Sequence, residues 1–244
     1  MSSSPDPRLW SMLVDMASGG SVTVGHACAA IATVTEVDGV AAVLAVSATV
    51  RETVYAGDEL AARVEELTLT LGEGPGLDAL RQGEPVLTAD MAGPDALVRW
   101  PVFAPAAVAV GALAVFALPL RMGAIRLGVL SLYRGRPGSL SRGQVADGLA
   151  LADIICLLLF DRISPASGAA RSEDGLGADG MRYPEVHQAT GMIIVQLGVS
   201  AEIAFARLRA HAFARNRRLR DVARDVVARR LRFHPDDDDY ADHQ

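Results

Sequence analysis

The sequence contains no lysine: all 23 of its basic residues are arginine. Such a bias is typical of GC-rich coding, so a single arginine says less about function than usual, and the clustering of arginines says more. Half of the 244 residues are hydrophobic, which is enough to bury a substantial core. The length allows one large domain or two smaller ones.

Cysteine is scarce as well. Cys28 and Cys156 each lie in an apolar stretch, and neither belongs to a Cys-x-x-Cys motif. We therefore expect both to be small buried hydrophobic residues, and zinc or dithiol chemistry has no support. His187 and His211 have no second ligand at a metal-binding spacing, and His26 is an isolated histidine near an apolar helix face. We expect no metal and no cofactor.

Catalytic signatures are missing too. The chain has no Gly-x-Ser-x-Gly, no His-Glu-x-x-His and no informative Cys–His spacing. The loop at Gly72–Gly76 superficially resembles a phosphate-binding loop, but no Gly-Lys-Ser/Thr follows and its glycine spacing differs from Gly-x-Gly-x-x-Gly. We expect a structural turn there, and we expect that the protein is not an enzyme.

No N-terminal targeting signal is visible, because the first six residues are not basic and no long apolar run follows them. The most apolar stretch, Ala106–Leu120, is about 15 residues long, whereas a membrane span needs roughly 20. Pro101, Pro105 and Pro119 bracket it. Its β-branched residues favour two short strands that break at Gly111 or the residue after it. We expect a cytoplasmic protein that does not span a membrane.

Charge is unevenly distributed along the chain. Residues 181–234 contain eleven arginines and four carboxylates, a net charge of +7, although the whole chain has a net charge of −6. Residues 1–180 have a net charge of −8. The C-terminal segment therefore has the charge of a polyanion binder, and the rest of the chain does not.

Alternating helical and strand patterns fill residues 8–163. Helical spacing of apolar residues occurs at 8–36 with a break at 18–21, at 58–67 and at 141–159, and shorter helical segments are expected at 77–81 and 99–105. Strand patterns occur at 40–46, 53–56, 85–88, 112–118 and 128–133. This order predicts an α+β domain with an antiparallel sheet and flanking helices.

Two polar segments divide the rest of the chain. Residues 164–182 contain too few large apolar side chains to offset the entropy of ordering, so we expect a flexible linker. Residues 235–244 carry five aspartates and are expected to form a disordered acidic tail. Between them, residues 183–234 are predicted to form a separate domain.

Three amphipathic helices are predicted in that domain. Val186, Ala189, Ile193 and Leu197 share one face of the first, which Gly198 ends. The second helix starts after a Ser200 cap, and its inward face consists of Ala204, Phe205, Leu208 and Ala212. In the third, Leu219, Val222, Ala223, Val226 and Val227 recur at helical spacing, and charged residues fill the other face. A compact all-α three-helix bundle should result.

These helices carry familiar motifs: His187-Gln188-Ala189-Thr190-Gly191, Leu197-Gly198-Val199-Ser200, Ala204-Phe205-Ala206-Arg207-Leu208-Arg209 and Asn216-Arg217-Arg218-Leu219-Arg220-Asp221-Val222-Ala223. In this order they resemble the ANTAR domain. The resemblance implies an RNA-binding output domain of a transcription antitermination regulator, which recognises paired hairpin loops in leader RNA. Many relatives have lysine where this chain has Thr190. Small Ala189 and Gly191 match the family pattern and suggest close helix packing.

The N-terminal part, residues 8–163, resembles a GAF domain of the kind that precedes ANTAR in actinobacterial regulators. Tyr55-Ala56-Gly57-Asp58-Glu59-Leu60-Ala61 and Leu71-Gly72-Glu73-Gly74-Pro75-Gly76-Leu77-Asp78-Ala79 carry this resemblance. It implies binding of a small molecule or dimerisation. Relatives often have cysteine where this chain has Gly76, so thiol-based sensing is not expected at that position.

A group of exposed basic side chains provides the candidate RNA-binding site: Arg215, Arg217, Arg218, Arg220 and Arg224, with Tyr183 as a weaker candidate for stacking on a base. Guanidinium groups neutralise phosphates, release counterions and stack on unpaired bases. The alternative is a solvated face with weak i,i+4 pairs between Arg217 and Asp221 and between Asp225 and Arg229. The spacing of Phe205 and Phe213 favours core packing over contact with RNA.

The sequence thus predicts a cytoplasmic, signal-responsive regulator that binds hairpin RNA and controls transcription termination. Because two RNA loops require two bundles, a homodimer is expected. Leu149, Ile155 and Leu159 are the candidate residues of its dimer interface, here called the seam. The acidic tail could fold back on the arginines and compete with RNA. Two alternatives remain open at this point: a DNA-binding regulator with a ligand sensor, and a protein-interaction module without a nucleic-acid partner.

Overall fold

The computed structural model of the protein describes residues 6–45, 51–163 and 184–234. The first two ranges form α1 (Pro7–Ala17), α2 (Val24–Thr35), β1 (Gly39–Ala45), β2 (Arg51–Ala56), α3 (Glu59–Leu71), α4 (Pro75–Gln82), β3 (Val86–Thr88), α5 (Pro94–Arg99), α6 (Phe103–Ala109), β4 (Ala114–Met122), β5 (Ile125–Arg134) and α7 (Arg142–Ile163). The predicted linker, 164–182, and the predicted acidic tail, 235–244, lie outside the described residues.

The five strands form one antiparallel sheet in the order β2-β1-β5-β4-β3. β4 and β5 form its central hairpin, and they are joined at Gly123, whose φ of 60° lies in the left-handed region that glycine adopts easily. β5 also pairs with β1, with Leu130 opposite Ala42. This sheet and its flanking helices confirm the predicted α+β class.

Both faces of the sheet are covered by helices. Alternate residues of β1 belong to different core clusters, because successive side chains of a strand point to opposite faces. Val40 and Ala42 share a cluster with apolar residues of α1, α2 and α7. Ala41 and Val43 share the other cluster with residues of α3 to α6. β1 therefore has no polar face.

The helix α3 has well-defined ends, which fix its position. The Asp58 side chain caps its start by accepting a hydrogen bond from the backbone N–H of Ala61 at 2.7 Å. At its C-terminal end, Gly72 adopts a left-handed conformation with φ 71° and donates its N–H to the carbonyl of Thr68. The Gly72–Gly76 loop is thus a helix end followed by the start of α4, as the structural-turn prediction required.

One predicted strand is wrong. The sequence favoured two short strands within Ala106–Leu120, but α6 occupies Phe103–Ala109, and the strand β4 starts at Ala114. The alanine-rich α6 has high helix propensity, and it buries Phe103, Ala104 and Ala107. Val108 in α6 and Val110 just after it suggested a strand because local pattern does not reveal which neighbours bury a segment.

The helix α7 begins after a reciprocal cap, in which Ser141 Oγ accepts from the N–H of Gln144 and Gln144 Oε1 accepts from the N–H of Ser141. By length and composition, residues 142–160 of this helix would suffice to cross a membrane. In the fold, Ile155 and Leu159 pack in the core between α2 and the sheet. The apolar side of α7 is therefore a core face of the domain.

The C-terminal part forms a three-helix bundle of α8 (Pro184–Leu197), α9 (Ala201–Ala214) and α10 (Leu219–Val227). Gly198, with φ 66°, follows α8, and the Ser200 side chain caps α9 by accepting from the N–H of Ile203, as predicted. The bundle core contains the predicted residues, namely Val186, Ala189, Ile193, Ala204, Phe205, Leu208, Ala212, Leu219, Val222, Ala223 and Val226. The three predicted amphipathic faces are confirmed.

Candidate nucleic-acid interface

The predicted arginines lie at the surface of the bundle. Arg215, Arg217 and Arg218 belong to the turn between α9 and α10, and Arg220 and Arg224 lie on α10; all five are exposed. Tyr183 lies outside the described residues. The charged turn and helix predicted from the sequence therefore form one exposed surface, and the role of Tyr183 stays a prediction.

Carboxylates lie against several of these arginines. Asp225 accepts from Arg217 Nη2 at 2.7 Å and also pairs with Arg230 at 2.7 Å. Hydrogen bonds from Arg217 and Arg230 lower the pKa of Asp225 below its usual value. The sequence instead suggested i,i+4 pairs of Asp225 with Arg229 and of Asp221 with Arg217. The turn brings Arg217 back toward the second turn of α10, which periodicity along a single helix could not reveal.

A second carboxylate joins α10 to α8. Glu185, at the start of α8, accepts from Arg220 Nε at 2.7 Å and lies 3.4 Å from Arg224 Nε. Arg224 also lies 3.7 Å from Asp221. Ion pairs between exposed side chains contribute only about 0–1 kcal/mol each, so phosphates can compete for these guanidinium groups. The surface is basic but partly neutralised.

One candidate arginine faces the N-terminal domain. Arg218 Nη1 lies 4.0 Å from Glu66 Oε2 of α3. The other carboxylate oxygen of Glu66 is buried and has no hydrogen-bond partner among the described residues. Burial raises the pKa of Glu66, and the charge of Arg218 opposes that rise. The bundle therefore contacts α3 close to Arg218, whose own side chain stays largely exposed.

Arg209 also joins the two parts of the chain. Its guanidinium lies over Gly72, where an added Cβ would collide with it, and Nη2 is 3.4 Å from the carbonyl oxygen of Leu71. This position at the C-terminal end of α3 suits a cation, because the free carbonyl groups there carry partial negative charge. Burial lowers the pKa of Arg209, and the nearby charge of Arg81 lowers it further.

Leu69 connects the bundle to the interior of the N-terminal domain. It packs against the apolar core of the bundle and also lines a small cavity of about 20 Å³ beneath α3 and α4. Arg51, Thr53 and Glu65 form the polar side of this cavity. Burial lowers the pKa of Arg51 to about 10, while the charge of Glu65 opposes that shift.

Glu65 is the buried carboxyl of this cavity. Its Oε1 accepts a hydrogen bond from the hydroxyl of Tyr133, and burial raises the pKa of Glu65. Gly76, where relatives often have cysteine, lies on the cavity wall. A Cβ added there would lie 3.3 Å from Ser131 Oγ, so a larger side chain would need Ser131 to move. Thiol chemistry at this wall is absent because the residue is glycine.

The two cysteines lie inside the N-terminal domain, as predicted. Burial raises the pKa of Cys28 to about 12 and that of Cys156 to about 11. Because the thiolate is the reactive form, both thiols are poor nucleophiles in the folded protein. Neither residue suits catalysis or redox sensing.

Two expectations about aromatic and small residues of the bundle are wrong. Phe205 is buried, but Phe213 is 56% exposed and lines a cleft of about 440 Å³ between α3 and the bundle. Gly191 does not serve close helix packing, because it is exposed and an added Cβ would meet nothing within 4 Å. The spacing of both residues is helical, but each faces outward, which spacing alone did not reveal.

Residues 184–227 match the family model of the ANTAR domain. A search of curated protein sequences finds no match. This part of the chain is an ANTAR domain, in agreement with the motifs on α8, α9 and α10.

Solved structures similar to the N-terminal region include GAF domains. The GAF domain of an Acinetobacter phosphoenolpyruvate-protein phosphotransferase is 11% identical, with 65% of this chain and 97% of that chain covered and a TM-score of 0.46. A sensor histidine kinase GAF domain from Bacillus halodurans is 10% identical, with coverage of 59% and 97% and a TM-score of 0.41.

A third similar structure is an enzyme, the type II free methionine-R-sulfoxide reductase from Thermoplasma acidophilum. It is 15% identical, with 63% of this chain and 95% of that chain covered and a TM-score of 0.41. The chain thus joins an N-terminal α+β domain, which is similar to GAF domains, to a C-terminal ANTAR match at residues 184–227.

Proposed function

We propose that the protein is a cytoplasmic regulator that binds hairpin RNA in transcript leaders through residues 183–234 and so controls transcription termination. The ANTAR domain at residues 184–227 carries this proposal. The exposed arginines of the turn and of α10 support it, since guanidinium groups bind phosphates and stack on unpaired bases. An unpaired loop presents both phosphates and free base edges.

The partner can be tested by a binding comparison with the full chain. A hairpin RNA with an unpaired loop, a duplex RNA of equal charge and a duplex DNA would be titrated at several salt concentrations. We expect a preference for the hairpin. Preference for duplex DNA would favour the DNA-binding alternative, and the absence of a salt-dependent slope with any of the three would favour a protein-interaction module.

The arginines themselves can be tested with a matched control. In the variant R215A/R224A, we expect weaker hairpin binding and a log–log salt slope shallower by about 1.4 to 1.8, at roughly 0.7 to 0.9 per phosphate contact. The control is Arg142→Ala, because Arg142 is exposed at the start of α7 in the other domain. Equal slopes in wild type and R215A/R224A would remove these two residues from the interface.

We further propose that the N-terminal domain controls RNA binding by holding the bundle through α3. Arg209 on the end of α3 and Arg218 near Glu66 support this proposal, since the Glu66 carboxylate would compete with an RNA phosphate for Arg218. The cavity of about 20 Å³ holds roughly one water molecule. A larger ligand would therefore have to displace side chains of the cavity wall, among them Leu69, which also packs on the bundle core.

The variant Arg209→Ala separates a docking role from RNA contact. If Arg209 docks the bundle, its loss frees the RNA-binding surface and hairpin affinity rises; if it binds phosphate, affinity falls. Arg207→Ala on the same helix is the control for loss of one positive charge. A decrease of equal size in both variants would contradict the docking role.

We also propose that the active form is a homodimer, because two hairpin loops require two bundles. The seam cannot use Ile155 and Leu159, which are buried within the domain, so the sequence-based assignment of these two residues is wrong. Leu157 and Phe160 lie one turn apart on α7 and are 61% and 46% exposed. Among the residues of α7 whose burial is described, these two are large apolar side chains that a second copy can cover.

A further inference from the structure

The outer face of α8 forms a groove with the chain that follows α10. Its volume is about 470 Å³, and it is distinct from the cleft between the domains, with which it shares no lining residue. Its walls consist of Gln188, Gly191, Met192, Val195, Gln196, Arg229 and Arg232. The α8 residues recur every three or four positions and therefore occupy one stripe of the helix.

Gly191 shows that this stripe has room for something outside the bundle. A glycine within a helix costs about 1 kcal/mol relative to alanine. No internal packing offsets this cost, because an added Cβ would meet nothing within 4 Å. One turn further along, Val195 is 84% exposed. The stripe thus has open space above Gly191 and an exposed apolar side chain at Val195.

The second wall of the groove is fixed in place. After α10, Arg229 adopts φ 58°, a left-handed conformation that is unfavourable for a residue with a Cβ. The backbone N–H groups of Arg230 and Leu231 donate to the carbonyl of Asp225, at 2.8 and 3.1 Å. Phe233 is buried and donates its N–H to Gln196 Oε1 at 3.0 Å. Arg229 and Arg232 are therefore held beside α8.

The charge of the groove favours a polyanion. Two arginines and two glutamines line it, and among the described residues no carboxylate does. In contrast, Glu66, Glu185 and Asp225 lie against the arginines of the turn and of α10. A phosphate that enters the groove would meet arginines without displacing a lining carboxylate. Its attraction to Arg229 and Arg232 is therefore not weakened by a carboxylate that competes for the same guanidinium groups.

We propose that this groove receives an unpaired strand of the bound RNA, with backbone phosphates on Arg229 and Arg232 and a base against Gly191 and Val195. Gln188 and Gln196 can contact base edges, which an unpaired loop exposes. The inference deepens the proposed RNA binding and rests on it. It places the strand on α8, whereas the sequence pointed to the turn between α9 and α10.

A substitution that fills the groove without harming the helix tests the inference. Gly191→Gln places a side chain in open space, and glutamine has a higher helix propensity than glycine, so folding should not suffer. We expect hairpin binding at least tenfold weaker and an unchanged or higher Tm. Ala206→Gln is the control, because Ala206 is exposed on α9 and lines neither the groove nor the cleft.

The variant R229A/R232A provides a second readout. We expect its log–log salt slope to be shallower by about 1.4 for a single-stranded contact, at roughly 0.7 per phosphate. If wild type binds the hairpin and both variants bind it equally well, the groove is not the site, while the proposed function stands. If wild type binds no RNA, both proposals fail. If Gly191→Gln changes the oligomeric state and leaves RNA binding intact, a second copy occupies the groove and the inference is overturned.

Discussion

Arg209 of the ANTAR domain lies over Gly72, the residue that ends α3 in the N-terminal domain. The contact depends on both residues: the arginine reaches the free carbonyl end of a helix, and the glycine leaves space for the guanidinium. Gly72 also needs its left-handed conformation, with φ 71°, to end the helix. A residue that looked like part of a turn is therefore also part of the domain contact.

We expect Gly72→Ala to displace the bundle from α3. The added Cβ collides with the Arg209 guanidinium, and the left-handed backbone costs about 1 kcal/mol with a Cβ present. Gly83→Ala is a matched control, because Gly83 ends α4 with φ 75° and its added Cβ would meet its nearest neighbour, Arg126, at an ordinary 3.4 Å. Both variants should lose similar stability in urea.

Gly72→Ala alone should also raise the affinity for hairpin RNA, by a few fold, as measured by fluorescence anisotropy. The same increase in Gly83→Ala would mean that general destabilisation, and not release of the bundle, improves access. No increase in either variant would argue against control through this contact.

Much of the fold could be predicted from the sequence because local chemistry determines it. Alternation along the strands and the apolar stripes of α8, α9 and α10 identified the sheet and the bundle core. Periodicity reports which residues share a helix face, but it does not report whether another element covers that face. Phe213 and Gly191 were therefore assigned to packing although both are exposed.

The contact between the domains could not be predicted for a different reason. Arg209 and the Leu71 carbonyl are 138 positions apart, and no local pattern links them. Likewise, no local pattern links Glu66 of α3 with Arg218 of the bundle, although the two side chains lie 4.0 Å apart. Contacts of this kind depend on how two folded parts dock, which the apolar pattern of each part does not specify.

Glu65→Gln should flatten the pH dependence of stability. Burial raises the pKa of the Glu65 carboxyl in the folded state, so the protonated form is favoured there. The protonated Glu65 carboxyl therefore stabilises the fold below the unfolded-state pKa, and this stabilisation is lost as pH rises through the folded-state pKa. Glutamine does not titrate, so the variant lacks this pH-dependent change in stability. Urea unfolding of both proteins from pH 4 to 8 measures the difference. Parallel curves across that range would contradict a raised pKa.

Both cysteines should resist modification in the folded protein. Because burial raises the pKa of Cys28 to about 12 and of Cys156 to about 11, few thiolates exist at pH 7.5. We expect a thiol reagent to label native protein slowly and urea-unfolded protein at once, with two thiols titrated. In urea, the variants Cys28→Ser and Cys156→Ser should each show one titratable thiol instead of two. Rapid labelling of native protein would show that a thiol is accessible.

The dimer proposal predicts that charge on α7 separates two copies. In L157D/F160D, two exposed apolar side chains become acidic, and the core residues Ile155 and Leu159 remain unchanged. We expect a monomer in analytical ultracentrifugation and loss of binding to an RNA with two hairpins. Val98→Asp is the control, because Val98 is 84% exposed on a different helix. A dimer that persists in L157D/F160D would place the seam elsewhere.

Deletion of residues 235–244 should strengthen RNA binding at low salt. This segment carries five aspartates and directly follows the segment that holds Arg229 and Arg232, so the tail and an RNA strand would compete for the same arginines. The gain should shrink as salt rises, because the Debye length falls from about 30 Å at 0.01 M to about 8 Å at 0.15 M. Replacing the five aspartates by asparagine keeps the length of the tail and should reproduce the effect. An unchanged affinity at low salt in both variants would remove the tail as a competitor.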